Sequence, residues 1–250
     1  MTTPNTNLQS QNQLPSGFTF DIPDASQRGI FNIQGLEKSG KTSLALSLPK
    51  PIGLIALEKR TLDTAIPYIK RGEVAVMDFT RLRLKEVSKN RQTTAVEYKE
   101  AWNQVVGAIH GVLDSPFLKS LVIDPATDYY DLGRLAHLGA LQGVLSREYG
   151  IFYAELKSLF WDMYESSKSV AVVHRLQNEY IADKKTGRYV LDGWNQMPDQ
   201  VQVNVTAWRN PADNSFHATI DNCGINANLN GTDWVNEMAN LEMIIPMMWS

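Results

Sequence analysis

The sequence predicts an α/β fold in which a mainly parallel central sheet is flanked by helices and extended by an antiparallel hairpin near the C-terminus. Between residues 29 and 174, short apolar runs alternate with stretches of helical periodicity, a pattern typical of strands buried on both faces of a parallel sheet. After residue 200, apolar and polar residues alternate, as in antiparallel strands with one exposed face. Because no linker or repeat interrupts this order, we expect a single domain over residues 18–250.

Each predicted element follows from a local pattern. Five apolar runs predict the parallel strands, at 29–35, 52–57, 74–79, 120–124 and 169–174. Helical patterns predict helices at 41–48, which two prolines end, at 94–113, and over 127–167 with a break near Gly150. The C-terminal third predicts a hairpin of 201–208 and 215–220, and a short capped helix over 232–243.

Composition narrows the class of protein. Residues 1–17 are polar and uncharged, so we expect a disordered tail that lacks the basic and apolar regions of a secretory signal. No apolar run approaches the roughly 20 residues of a membrane-spanning helix. The net charge of −3 gives no global positive field toward nucleic acid, so a site for a polyanion must be a local patch. The single cysteine, Cys223, excludes an intrachain disulfide framework and favours the cytoplasm.

The segment GLEKSGKTS, residues 35–43, fits the phosphate-loop (P-loop) pattern G-x-x-x-x-G-K-[S/T]. It follows a predicted buried strand and opens a predicted helix, which favours a phosphate loop over a plain strand–turn–helix. Gly35 and Gly40 let the backbone bend so that consecutive N–H groups face the phosphates. We expect Lys41 to reach the β- and γ-phosphates and the Thr42 hydroxyl to ligate Mg²⁺. The other loop residues predicted to bind nucleotide are Glu37, Lys38, Ser39 and Ser43.

Two carboxylates follow predicted strands. Asp124 ends the run LVID and is predicted to be the second Mg²⁺ ligand, the alternative being a helix-capping aspartate. Hydrolysis also needs a group that orients and deprotonates water. Pro125 occupies the position after Asp124, so Glu58, directly after the second strand, is the candidate catalytic base. The alternative for Glu58 is a solvated charge, because residues 58–60 are all polar.

The segments GLEKSGKTS, LIALEKRTLD and LVID, in this order, resemble the core of RecA-type recombinase ATPases over roughly residues 18–220. In that family the phosphate loop commonly carries a glutamate where Glu37 stands, the catalytic glutamate follows the next strand as Glu58 does, and the metal-binding aspartate lacks an adjacent glutamate, like Asp124. The layout is most similar to phage-encoded RecA-like proteins that keep only this core and are linked to single-strand annealing and recombination. The resemblance implies a RecA-like ATPase that uses ATP and Mg²⁺ in a bacterial host cytoplasm.

The resemblance also implies a γ-phosphate sensor after the fifth strand, where His174 and Arg175 stand. The family has an amide in this region, so this sequence departs from its pattern. The alternative for His174 is a hydrogen-bonded structural histidine. The alternative for Arg175 is an ion pair with a carboxylate.

In RecA-like cores a loop after this strand lines the nucleic-acid channel, which here corresponds to residues 176–198. Its cations could follow the phosphates of single-stranded DNA while interleaved aromatic residues stack on bases. The cations are Lys184, Lys185 and Arg188, and the aromatic residues are Tyr180, Tyr189 and Trp194. The alternative is an exposed hairpin whose aromatic residues pack on the sheet. A second basic cluster, 81–91, is interpreted as a solvated surface. The absence of an N-K-x-D motif favours ATP over GTP.

RecA-type ATPases typically form rings or filaments, so the resemblance implies a homo-oligomer in which a neighbour supplies a basic residue to the phosphates. The candidates are Lys184, Lys185, Arg188 and Arg209. The apolar segment 243–250 is either an oligomer or partner contact or a tail docked on its own domain. Two other functions are compatible with the loop: a nucleotide-dependent switch or assembly ATPase that acts on a protein partner without contacting DNA, and a small-molecule kinase. No arginine-rich lid segment supports the kinase.

Overall fold

A computed structural model of the chain describes residues 27–250. The tail predicted over 1–17 lies outside these residues and stays a prediction.

The described chain forms one mixed sheet of nine strands in the order β3-β2-β4-β5-β1-β7-β8-β9, with β6 paired to β5. Neighbours from β3 to β7 are parallel, whereas the pairs β5–β6, β7–β8 and β8–β9 are antiparallel. The predicted fold class, a mainly parallel sheet with antiparallel strands near the C-terminus, is therefore confirmed. The strands are β1 (Ile30–Gly35), β2 (Ile52–Ala56), β3 (Val74–Asp78), β4 (Ser120–Asp124), β5 (Ser169–Ile181), β6 (Lys184–Asp192), β7 (Val203–Arg209), β8 (Phe216–Cys223) and β9 (Asp233–Val235).

Helices cover both faces of the parallel strands. They are α1 (Lys41–Ala45), α2 (Lys59–Lys70), α3 (Arg91–Leu113), α4 (Ala126–Leu138), α5 (Gly150–Glu165) and α6 (Leu241–Met248). On one face, α3, α4 and α5 pack around the fully buried Trp102. On the other face, α1, α2 and α6 bury small and aliphatic side chains against the sheet. This two-sided cover explains why β2 and β4 are buried along their whole length.

The C-terminal residues differ from expectation in two ways. The predicted helix over 232–243 is wrong, because β9 pairs its first residues with the edge of β8 and the helix begins only at Leu241. The Asn240 side chain accepts a hydrogen bond from the Glu242 N–H and caps that helix. Ile244 and Met248 of α6 are buried in the second core, so this segment docks on its own chain.

The segment 176–198 is largely a hairpin, which was the alternative interpretation, and not the open loop that the resemblance implied. β5 continues seven residues past His174 to Ile181, and β6 returns antiparallel beside it, with Arg175 opposite Asp192. Beyond Arg175, most residues of both strands are exposed or half-buried. Within residues 27–250, no helix is long and apolar enough to cross a membrane.

Parallel strands with this order bring several chain segments to one edge of the sheet. The phosphate loop follows β1, Glu58 follows β2, Asp124 ends β4, and Arg175 lies in β5 directly beside Gly35. Ligands of open α/β sheets bind outside the carboxyl ends of such strands. The fold therefore places the sequence-predicted groups around a common cleft.

Candidate nucleotide site

The phosphate loop is shaped by two glycines that touch the β7–β8 hairpin. Gly40 adopts φ 95°, in the left-handed region, and a Cβ there would lie 2.7 Å from Cε2 of Phe216. A Cβ on Gly35 would collide with the Ala207 carbonyl oxygen and with the Ser39 hydroxyl. Both positions therefore require glycine in this packing.

Lys41 is folded back over the loop. Its Nζ donates a 2.6 Å hydrogen bond to the Leu36 carbonyl oxygen, across the turn that a phosphate would fill. Burial lowers the pKa of Lys41, while the nearby Asp124 opposes that shift. No side chain caps the N-terminus of α1, which starts at Lys41. An anion at this point would meet both the ammonium group and unpaired backbone N–H groups.

The two predicted metal ligands are in direct contact. Thr42 Oγ1 donates a 2.6 Å hydrogen bond to Oδ2 of Asp124, which is buried at the end of β4. Burial raises the pKa of Asp124 to about 6, against the lowering effects of the Thr42 hydrogen bond and the Lys41 charge. A cation at this carboxylate would favour its ionised form.

The donor set fits Mg²⁺ rather than a metal held by protein ligands alone. Residues 27–250 contain no cluster of three or more His, Cys, Asp or Glu side chains that could hold a metal ion. Mg²⁺ typically takes one or two protein oxygens and completes its shell with phosphates and water. Asp124 and Thr42 would supply those two oxygens beside the phosphate loop.

Glu58 is held by an arginine from the neighbouring part of the sheet. Arg175 Nη2 donates to Glu58 Oε2 at 2.7 Å, and its Nη1 donates to Asp128 Oδ1 at 2.8 Å. Burial alone would lower the pKa of Arg175, but its bonds to these two carboxylates raise it. Arg175 thus forms ion pairs with carboxylates, which was the alternative to a γ-phosphate sensor. Its side chain also lines the cleft.

His174 does not line the cleft. It is fully buried, and its Nδ1 donates a 2.9 Å hydrogen bond to Asn32 Oδ1. Asn32 Nδ2 in turn donates to Asn204 Oδ1 at 3.0 Å, so three neighbouring strands share one buried polar chain. Burial lowers the pKa of His174 to about 3, which keeps the ring neutral. This placement favours the structural alternative over a sensor of the γ-phosphate.

The whole cleft has a volume of about 310 Å³ and brings together groups that the sequence could not connect. It contains the loop residues Glu37, Lys38, Ser39, Gly40, Lys41, Thr42 and Ser43, together with Glu58, Asp124 and Arg175. Arg209, considered above as a residue supplied by a neighbour, lines the cleft of its own chain. Sequence reasoning missed Arg60, Thr61 and Thr64 of α2, which also line it. Only their position just after Glu58 could have drawn attention to them.

The predicted DNA-binding cations lie away from this cleft on the β5–β6 hairpin. Lys184, Lys185 and Arg188 are exposed, and none of them forms an ion pair with another residue in the range 27–250. Tyr180 and Tyr189 are more than half exposed, as base stacking would require. The aromatic residue Trp194, which was grouped with them, is fully buried against α5.

Solved structures that resemble this chain share little of its sequence. No protein-family model and no curated protein matches the chain. Among solved structures, a KaiC-like protein of the hyperthermophilic archaeon Pyrococcus horikoshii OT3 is similar at 14% identity and a TM-score of 0.45, covering 83% of this chain and 84% of that one. A RadB recombinase is similar at 14% identity and a TM-score of 0.47, covering 83% and 86%. These likenesses are loose, and the fold assignment rests on the strand order and connectivity.

Proposed function

We propose that the chain is a RecA-like P-loop ATPase that hydrolyses ATP with Mg²⁺ and couples hydrolysis to binding of single-stranded DNA in recombination, annealing or repair. The observation that carries the ATPase part is the contact between Thr42 and Asp124 beside Lys41, in one cleft. A strand–turn–helix that binds no ligand would gain nothing from burying a carboxylate such as Asp124 against the Thr42 hydroxyl. A nucleotide–Mg²⁺ site needs that arrangement.

Each cleft residue has a distinct task in this proposal. Lys41 leaves the Leu36 carbonyl and binds the β- and γ-phosphates, while Thr42 and Asp124 hold the metal ion. When bound, Mg²⁺ neutralises charge on the phosphate oxygens. Glu58 accepts a proton from the attacking water, and Arg175 fixes the orientation of its carboxylate.

Arg209 completes the cleft within one chain. Its Nη1 donates to the Asn214 carbonyl oxygen at 3.0 Å, and its guanidinium lies 5.8 Å from the centre of the Phe216 ring. Phe216 in turn touches Gly40. The β7–β8 hairpin thus holds an arginine at the phosphate loop, where it would neutralise charge that develops during transfer.

The DNA part of the proposal is supported by the β5–β6 hairpin. Lys184, Lys185 and Arg188 are exposed and free of ion pairs within the described chain, so they can contact phosphates without first breaking a bond. The same hairpin begins at Arg175, which binds the candidate base Glu58. A ring or filament of copies in the cytoplasm of a bacterial host remains part of the proposal through the resemblance alone.

The deciding experiment is the ATP hydrolysis rate of the purified protein with and without single-stranded DNA, beside Lys41→Ala. Stimulation by DNA in the wild-type protein and no nucleotide binding in Lys41→Ala are the expected results. Hydrolysis that DNA does not change would overturn the DNA part and favour the alternative, a switch that acts on a protein partner. Unchanged ATP affinity in Lys41→Ala would overturn the nucleotide site itself.

A further inference from the structure

A second groove lies on the other side of the phosphate loop, between the root of the β5–β6 hairpin and β7. It has a volume of about 330 Å³ and is lined by the loop residues Leu36 to Ser39 and by Leu176, Tyr189, Thr206 and Trp208. We propose that this groove binds bases of a single-stranded polynucleotide by stacking on Tyr189 and Trp208. The proposal rests on the proposed function and assigns it a specific binding site.

Trp208 is a surface tryptophan held rigidly in place. The His217 ring stacks on it at 4.0 Å between centroids and 20° between planes. The indole N–H donates a 2.9 Å hydrogen bond to Thr219 Oγ1. His217 is fixed in turn, because its Nδ1 donates to Asp233 Oδ2 at 2.6 Å. The residue nevertheless keeps 37% of its surface exposed. A pre-ordered aromatic face that stays open to solvent is suited to stacking.

Tyr189 faces the groove from the hairpin. It is 52% exposed and lies on β6, four residues from the exposed Lys185. Lys38, at the apex of the phosphate loop, is also exposed and lines the groove. Neither Lys38 nor Lys185 has an ion-pair partner between residues 27 and 250. Aromatic faces beside free cations match the bases and phosphates of a polynucleotide better than they match an apolar peptide.

The groove and the nucleotide cleft share one wall. Glu37, Lys38, Ser39 and Arg209 line both of them. A nucleotide that orders the loop from one side therefore changes the wall that a stacked base contacts from the other. By linkage, each ligand must change the affinity for the other by the same factor. The shared wall is thus a direct physical route from nucleotide state to polynucleotide affinity.

The test measures binding of fluorescent oligo-dT and oligo-U by anisotropy, with and without a non-hydrolysable ATP analogue. Trp208→Ala and Tyr189→Ala are expected to weaken both oligonucleotides by roughly five- to a hundredfold. Trp208→Phe should keep most of the affinity and serves as the folded comparison. The matched control is Trp161→Ala, an exposed tryptophan of α5 that does not line the groove, and it should bind like wild type.

The outcomes separate this proposal from the proposed function. Suppose the wild-type protein binds the oligonucleotides, and Trp208→Ala and Tyr189→Ala bind them no more weakly than Trp161→Ala does. That result would overturn the groove as the binding site while leaving DNA binding in place. Failure of the wild-type protein to bind either oligonucleotide would overturn both. An oligonucleotide affinity that the ATP analogue does not change would overturn the shared-wall coupling. Equal weakening for oligo-dT and oligo-U is expected, because stacking does not read the 2′-hydroxyl.

Discussion

Thr42 Oγ1 and Asp124 Oδ2 are joined by a 2.6 Å hydrogen bond across 82 positions of the sequence. The bond links the first turn of α1 to the end of β4, beside the Lys41 ammonium group. Asp124 is buried, and its pKa is raised to about 6, so the folded chain holds a carboxylate at a free-energy cost. This cost is expected where a bound cation normally offsets it.

Asp124→Asn should therefore stabilise the protein when no metal is present and weaken its binding of MgATP. The amide removes a buried charge and keeps an oxygen that can accept from Thr42. Raising the pKa of Asp124 to about 6 costs roughly 3 kcal/mol at neutral pH, so the melting temperature of the variant in EDTA at pH 7 should rise by several degrees. Calorimetric melting and MgATP titration check both halves. A lower melting temperature in EDTA, or unchanged MgATP affinity, would contradict the assignment.

The same carboxyl predicts how stability depends on pH. Between about pH 4 and pH 6 the folded chain retains a proton on Asp124 that the unfolded chain has lost, because the pKa is raised to about 6. Its contribution therefore makes the metal-free protein less stable as pH rises through this window. The difference between wild type and Asp124→Asn should grow from pH 4 to pH 6 and then level off. Denaturant titrations at each pH measure that difference, and a flat difference would refute the prediction.

Glu58→Gln should keep nucleotide binding and lose turnover. A positioned general base contributes roughly 10²–10⁴ in rate, so kcat should fall by that order while ATP affinity changes less than about threefold. Asp128→Asn is the matched control, since Asp128 is the other partner of Arg175. If both variants lose turnover equally, Glu58 acts through the arginine network and the base lies elsewhere. Steady-state hydrolysis and ATP titrations provide the measurements.

Arg209→Ala should lower kcat at least tenfold, on the scale of other arginines that act on a transferring phosphate. Mixing the Arg209→Ala and Lys41→Ala proteins shows whether Arg209 acts in the cleft of its own chain or in the cleft of a neighbouring chain. If Arg209 serves its own cleft, as its position indicates, the mixture stays inactive. If it serves a neighbour, Lys41→Ala chains supply the missing arginine to intact loops and activity returns. Arg147→Ala, an exposed arginine outside the cleft, is the control variant.

Replacing Lys184, Lys185 and Arg188 together with glutamine should weaken single-stranded DNA binding and flatten its salt dependence. Each lost phosphate contact on a single strand reduces the slope of log K against log salt by about 0.7. The matched control replaces Lys70, Lys99 and Lys157, exposed lysines on three other helices, and changes the net charge equally. If both triple variants weaken DNA binding equally, DNA binding depends only on the net charge of the protein and not on the hairpin.

Local patterns predicted the five parallel strands between residues 29 and 174 well, the end of α1 poorly, and α2 and β9 not at all. β2, β3 and β4 match their predicted runs within one residue. β2 and β4 are buried along their whole length, which favours apolar residues throughout, whereas β3 is an edge strand with mostly exposed residues. α1 ends at Ala45, three residues short of the prediction. The helix expected over 232–243 failed because edge pairing with β8 outweighed helical spacing. For the segment after His174 both a loop and an exposed hairpin stood open, because its exposed strands carry no apolar run, and the structure has the hairpin.

The sequence by itself determined the phosphate loop and the class of sheet that carries it. Residues 35–43 specify a loop that requires glycine at Gly35 and Gly40, and the buried apolar runs specify a parallel sheet. Only the tertiary structure decided which distant groups share the cleft. Arg175 meets Glu58 across 117 positions, and Arg209 lies at the loop because β7 pairs with β1. Strand order sets these contacts through non-local hydrogen bonds and packing, which leave no signal within any short window of sequence.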